Sequence, residues 1–217
     1  THLNQLQDNR LGTVGRALPG IETRLTDSGE ILIRGPHVTP GFWKNPGATR
    51  VAIDEDGWLH TGDLGQFDED GFLRITGRKR NVIITANGKA IAPQPIEGAL
   101  RSDTLVSQVL IHGEGRNFLT ALFSLSRQTL LDFAADNGVE GDYAACTRLP
   151  IVYSRIEALV ERVNATLPSH EHIRKFAILP VEPSLEAGEL TQTHVLRRAV
   201  AADRHRALLD SFHSDSY

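Results

Sequence analysis

The chain has 217 residues, 40% of them apolar, with a formal charge of -4, which is room for one large domain or two small ones around a packed core and excludes disorder as the default. The mild acidity argues against a surface built to neutralise nucleic-acid phosphates. Cys146 is the single cysteine, which excludes an internal disulfide and a cysteine metal cluster and fits a reducing, cytoplasmic setting.

The chain opens on Thr1-His-Leu-Asn-Gln5, with neither the basic nor the apolar region of a signal peptide. Methionine is absent even from position 1, so the chain reads as a fragment or processed product. No later run approaches the roughly 18 apolar residues that a spanning helix needs. Up to about residue 76 the pattern is β-structure punctuated by glycine. Gly29-Glu-Ile-Leu-Ile-Arg-Gly35 is a short β-rich run between glycines, and Asp63 to Phe67 and Gly71 to Thr76 flank the turn chemistry of Asp68-Glu-Asp-Gly71. A dense basic patch, Gly77-Arg-Lys-Arg-Asn81, then marks a domain boundary.

Beyond it, Val82 to Thr85 and Lys89 to Ala92 surround a second tight turn, Ala86-Asn-Gly88. Pro93 and Pro95 open a short helix to Leu100, where a missing N–H costs little. Leu105 to Ile111 and Phe118 to Leu125 read as strands. Gln128 to Asp136 reads as a helix closed by Asn137-Gly138. Ile156, Leu159, Val160, Val163 and Leu167 recur at helical spacing within a helix expected over Pro150 to Leu167. Phe176 to Leu179 is a strand stopped by Pro180, and a last helix is expected from about Ala199 to Phe212. The second segment is therefore α+β, and with roughly 140 residues it is long enough to fold alone.

Four stretches in this order carry a resemblance: residues Gly29 to Pro46, Gly57-Trp-Leu-His-Thr-Gly-Asp-Leu-Gly65, Gly71-Phe-Leu-Arg-Ile-Thr-Gly-Arg-Lys-Arg80, and Asn87-Gly-Lys-Ala-Ile-Ala-Pro-Gln-Pro-Ile-Glu97. Together they resemble the shared motifs of the adenylate-forming superfamily, in which acyl-CoA synthetases, luciferases and peptide-synthetase adenylation domains are grouped. Arg174-Lys-Phe-Ala-Ile-Leu-Pro180 followed by Gly188-Glu-Leu-Thr191 is similar to the long-chain fatty acid–CoA ligase branch. The resemblance implies an α+β fold in which residues 1–79 are the last, partial β-subdomain of the large N-terminal domain and residues 80–217 are the mobile C-terminal lid. It implies two steps: carboxylate plus ATP gives acyl-AMP and pyrophosphate, then CoA displaces AMP. The lid turns between them. ATP/AMP, CoA and Mg2+ are the implied ligands, held mainly by an N-terminal domain that these residues do not contain. Fatty acid, ATP and CoA are the implied partners, without nucleic acid, and peripheral membrane association of the parent stays open.

The resemblance also implies site residues. Asp63, in Thr61-Gly-Asp63, would accept hydrogen bonds from ribose hydroxyls, and Arg78 would offer its donor fork to nucleotide oxygens. A turn aspartate and a solvated basic run are the plain alternatives. Arg80 falls at the hinge, where backbone dihedrals must change. Asn87 and Gly88 would line the pantetheine tunnel, with a plain hairpin turn as the other reading. Trp58 reads as a core residue, with a tunnel wall as the other reading, and His60 as a hydrogen-bonded structural histidine rather than an acid or base. His170-Glu-His172 is not a metal site, since an i,i+2 pair does not share a helix face and no third ligand is evident. The sequence departs from the family in one place. Where the long-chain branch reads Leu-Thr-Pro-Thr-x-Lys-Leu-Arg/Lys-Arg, this chain has Leu190-Thr-Gln-Thr-His-Val-Leu-Arg-Arg198, so Val195 stands in the place of the adenylating lysine. Losing that cation implies slow adenylation with the thioester step spared, or a catalytically impaired or regulatory relative. Val195 packed in the lid core, with another cation serving, is a further alternative, and His194 would point elsewhere on an extended segment.

Overall fold

The computed structural model describes residues 1–214; the last three residues of the expected 80–217 segment lie outside the described residues. The backbone divides into two compact units, Thr1–Val82 and Ile83–Tyr217.

In the first unit a small ribbon, β1 (His2–Leu3) with β2 (Arg16–Ala17), precedes β3 (Glu22–Leu25) and β4 (Glu30–Arg34). A short helix, α1 (Pro46–Ala52), leads into β5 (Leu59–Phe67) and β6 (Leu73–Arg78). Strands β3-β4-β5-β6 form a four-stranded antiparallel sheet in sequence order. One face buries Ile31, Ile33 and Leu73 against Val14, Ile21, Leu25 and Val38. Two rings outside that cluster, Trp58 and Phe72, are also buried, each beneath two guanidiniums: Arg24 and Arg34 lie 4.2 and 4.5 Å from the Trp58 ring, Arg10 and Arg16 lie 4.9 and 4.4 Å from that of Phe72. Trp58 is buried, as a core residue should be, and carries two guanidiniums over its ring. The helix α1 was legible yet unread: Asn45 caps it, accepting from the Ala48 N–H at 3.0 Å, and Pro46 opens it. A 3-10 turn, Lys79–Asn81, follows β6.

The second unit begins with β7 (Ile83–Ile84) and β8 (Ala90–Ile91), an antiparallel pair shorter than the runs that predicted it. Then come α2 (Pro93–Leu100), β9 (Val106–His112), β10 (Leu119–Leu125), α3 (Arg127–Asp136), α4 (Tyr143–Cys146), α5 (Pro150–Asn164), β11 (Ile173–Ile178), α6 (Arg198–Arg204) and α7 (Arg206–Ser211). The central strand β10 pairs antiparallel with β9 and parallel with β11, the helices α3 to α5 supplying the crossover a parallel pair requires. Every residue of β10 is buried, because both faces are covered. Leu119, Ala121, Phe123 and Leu125 enter a large core with Ile96, Leu100, Leu130, Ile156 and Leu159. On the opposite face Leu122 meets Leu110, Leu179, Ala201 and Leu209.

Two helices differ from the spans that the sequence predicts. The last helix is broken at His205, whose backbone has φ -102° and ψ 18°, so α6 and α7 are separate pieces. The break lets both pieces keep an apolar face on β9 and β10 while His205 Nε2 stays 3.4 Å from the buried Glu189 carboxylate. The helix expected to Leu167 ends at Asn164, whose side chain turns to accept from the Ile173 N–H at 2.9 Å and donate to its carbonyl at 3.0 Å, fixing the start of β11.

Candidate functional site

The motif Thr61-Gly62-Asp63 lies on β5 where the pairing to β4 slips between Glu30 and Leu32. Gly62 takes φ +70°, a conformation that L side chains rarely adopt, and this turns its N–H onto Glu30 Oε1 at 3.1 Å. Thr61 Oγ1 donates to the Ile31 carbonyl at 2.7 Å and accepts from the Asp63 N–H at 3.1 Å. The backbone leading into Asp63 is thus held from both sides before any ligand arrives. Asp63 pairs in register with Arg78 on β6, and Arg78 Nε lies 2.9 Å from Asp63 Oδ1. Among the described residues Asp63 Oδ2 and the two terminal Arg78 nitrogens have no partner, so a carboxylate oxygen and two amino groups stay available side by side.

Glu30, which accepts from the Gly62 N–H next to Asp63, is 4% exposed, with Lys79 Nζ donating to its Oε2 at 2.8 Å. Burial alone would raise the Glu30 pKa, but the Lys79 ammonium, the Gly62 N–H and the nearby His60 outweigh it and hold the carboxyl below its ordinary value. His60 stands between carboxylates, 3.7 Å from Glu30 and 3.5 Å from Asp54. Sequence reasoning missed Glu30 and Lys79. A glutamate at the head of an apolar strand run, directly before Ile31-Leu-Ile33, was the available signal, since such a residue is rarely buried unless paired.

Arg80 lies in the 3-10 turn, exposed, two residues before the last residue of the first unit. In the second unit, Asn87 and Gly88 occupy the tip of the β7–β8 turn, both exposed. The Gly88 N–H donates to the Thr85 carbonyl at 2.9 Å and Gly88 has φ +72°, with no atom within 4 Å of where a Cβ would sit. The glycine therefore serves the turn's dihedral, with open space beside it.

Val195 is on a tight hairpin, not on an extended segment, and this corrects the expectation for its neighbour: His194 has φ +57° at the apex. Nor is Val195 in the core; it is 59% exposed. Behind the hairpin, Arg198 pairs with Glu97 and donates to the Ile111 carbonyl at 2.6 Å, while the Ile111 N–H donates to Glu97 Oε1 at 2.9 Å. The structure thus groups Asp63 with Arg78 on one sheet and places Asn87, Gly88 and Val195 in two separate loops of the second unit. His170 and His172 do not converge: His172 Nε2 lies 3.0 Å from the Leu167 carbonyl and His170 faces Glu171 at 3.7 Å.

The fold is that of adenylation domains. The adenylation domain of a carboxylate reductase from Mycobacterium chelonae superposes with a TM-score of 0.74 at 26% identity, over 94% of this chain and 32% of that one. Residues 80–216 match the model of the family described as "AMP-binding enzyme C-terminal domain". The long-chain-fatty-acid–CoA ligase FadD15 of Mycobacterium tuberculosis is 39% identical over 217 residues, 98% of this chain and 36% of that protein. The long-chain-fatty-acid–CoA ligase ACSBG1 of Homo sapiens is 34% identical over 230 residues, 95% of this chain and 32% of that protein. The chain belongs to the AMP-binding enzymes and carries their C-terminal domain. It spans about a third of the length of these curated relatives.

Proposed function

We propose that this chain works as the C-terminal part of a longer AMP-forming fatty acid–CoA ligase, which joins a fatty acid to AMP and then passes the acyl group to CoA. The observation that carries this reading is the Asp63–Arg78 pair. It is held in register on a rigid sheet, yet keeps a free carboxylate oxygen for ribose hydroxyls and free guanidinium nitrogens for nucleotide oxygens. The relatives' names point the same way and lend nothing to a regulatory reading.

On this reading residues 1–79 complete the large adenylating domain and residues 80–217 form the mobile lid, with Arg80 at the hinge. The division of the backbone after Val82 and the family match from residue 80 support the boundary. Asn87 and Gly88 would border the passage of CoA, where the open space beside Gly88 leaves room for a narrow chain. Among the described residues no three His, Cys, Asp or Glu side chains group to hold a metal ion; the reading assigns Mg2+ mainly to the remainder of the parent. No helix among the described residues is long and apolar enough to cross a membrane; the reading places the parent in the cytoplasm and leaves peripheral membrane association of the parent open.

The test uses the full-length parent and the chain side by side, each given ATP, palmitate and CoA, with AMP release followed. The parent is expected to turn over and the 217-residue chain to stay at the level of a boiled control. Turnover by the chain alone, or none by the parent, would end this reading.

A further inference from the structure

The hairpin that carries Val195 is closed by backbone bonds. The Arg197 N–H donates to the Glu189 carbonyl at 2.7 Å, Leu190 bridges Leu196, and the Thr191 N–H donates to the Val195 carbonyl at 2.9 Å. Thr191 Oγ1 also accepts from the Val195 N–H at 3.1 Å, and the His194 carbonyl accepts from Gln108 Nε2 at 3.2 Å. Side chains alternate on such a ladder. Leu196 packs inward with Leu110 and Leu122, and Arg198 turns back to its pair with Glu97. Val195 and Arg197 consequently share the outward face, and both are exposed.

Val195 brings no charge to that face. Arg197 does, and it is unspent: among the described residues its side chain makes no hydrogen bond, no ion pair and no contact over a ring, whereas Arg198 beside it is fully engaged. Two residues along a strand advance the backbone by about 6.6 Å, and a guanidinium on its flexible stem can lean back over a neighbour as small as valine. His194 is one residue closer in sequence but sits at the left-handed apex, outside the alternation.

We infer that Arg197 is the cation of the adenylation step, a catalytic residue that replaces the family's lysine from the same face of the hairpin. This rests on the ligase reading above. In that step a fatty-acid carboxylate oxygen attacks the α-phosphorus of ATP, and the bond from that phosphorus to the α,β-bridging oxygen breaks. Pyrophosphate leaves with the electron pair, and no proton passes to the protein. A guanidinium fork can donate to the attacking carboxylate and to a non-bridging α-phosphate oxygen together, where negative charge concentrates as the new bond forms. The ladder bonds and the Glu97–Arg198 pair fix the backbone on either side of Arg197, so its placement needs little reorganisation.

The experiment is single-turnover acyl-AMP formation from ATP and palmitate by the full-length parent, by Arg197→Gln, Arg197→Lys and Val195→Lys. Conversion of supplied palmitoyl-AMP to palmitoyl-CoA is measured in parallel. Arg197→Gln is expected to slow acyl-AMP formation on the order of 10²-fold, with the thioester step within about twofold, and Arg197→Lys to recover most of the loss. Val195→Lys is expected to gain little. An Arg197→Gln variant as fast as the parent, or one that loses both half-reactions equally, overturns the assignment while leaving the ligase reading intact. A slow parent rescued by Val195→Lys does the same, because the lysine position would then be the one that matters. If parent and Val195→Lys are both silent, the ligase reading itself falls and the assignment with it.

Discussion

The two compact units hold themselves together by different means. The second buries a full strand, β10, on both faces, with Phe123, Leu119 and Leu125 all inaccessible and helices on either side. The first has a three-residue aliphatic cluster on one sheet face, and its two large buried rings lie under arginines. It also leaves Leu6, Leu11, Trp43 and Val51 more than 80% exposed. Their candidate site residues follow the same division. In the first unit the Asp63–Arg78 site stands on a cross-strand pair and a buried glutamate. In the second the hairpin side chains Val195 and Arg197 are free, and rigidity comes from backbone bonds and from one ion pair at the rear. The first arrangement is stiffened through its own side chains, whereas the hairpin is stiffened through its backbone and keeps the Val195 and Arg197 side chains unencumbered.

The sharpest way to break this comparison is to remove the rear ion pair. Glu97→Ala leaves Arg198 without its partner and the Ile111 N–H without an acceptor, both in a largely buried place. The expected loss is about 3–5 kcal/mol for the second unit, read as faster hydrogen exchange of β9 and β10 amides. The β4 to β6 amides of the first unit should keep their protection. An unchanged β9 would show that the pair is not what anchors the hairpin.

Asp63→Ala should cost less in stability and more in binding. Its ion pair with Arg78 is half exposed on the arginine side and is worth little to the fold. Loss of charge-assisted hydrogen bonds to ribose is expected to weaken nucleotide binding by roughly 1.5–3 kcal/mol in the full-length parent, in both half-reactions. Equal affinity of variant and parent for ATP and acyl-AMP would remove Asp63 from the site.

Arg80→Pro addresses the segment between the units. Proline fixes φ at position 80 and drives Lys79 out of the helical dihedrals it holds in the 3-10 turn. In the parent, one half-reaction is expected to fall by about tenfold or more relative to the other, as a hinge that no longer adopts both states would require. Equal loss in a folded protein would place the hinge elsewhere.

The smallest expected effect is acid sensitivity of the first unit. Glu30 has its folded pKa depressed below the ordinary glutamate value of about 4.3. Its contribution is therefore complete above that value and is lost as the pH falls through the folded one. Protection of the Ile31 and Gly62 amides should decline over that acid range, and Glu30→Gln should flatten the decline while lowering protection near neutrality. A Gln variant with the parent's acid profile would mean another carboxylate is responsible.

Much of the fold was readable along the chain. The turn at Asp68–Gly71 lies between β5 and β6, the proline pair opens α2, and Ile156, Leu159, Val160 and Val163 all face the core from α5. What escaped was short or non-local. The four-residue α4 has too few residues for a period to show, although Asp142 caps it. The break at His205 lies beside Glu189, a residue from another part of the chain, and does not appear in the helix's own pattern.

The amino-acid sequence by itself determined the motif order that marks the AMP-binding enzymes, the alternation of strands and turns, and the substitution at Val195, because each is written in neighbouring residues. Only the tertiary structure decided that Glu30 is buried against Lys79, 49 residues away, and that Glu97 holds Arg198, 101 residues away. It alone placed Arg197 on the same outward face as Val195. Ladder register and packing choose such partners, and both depend on parts of the chain that no local spacing records.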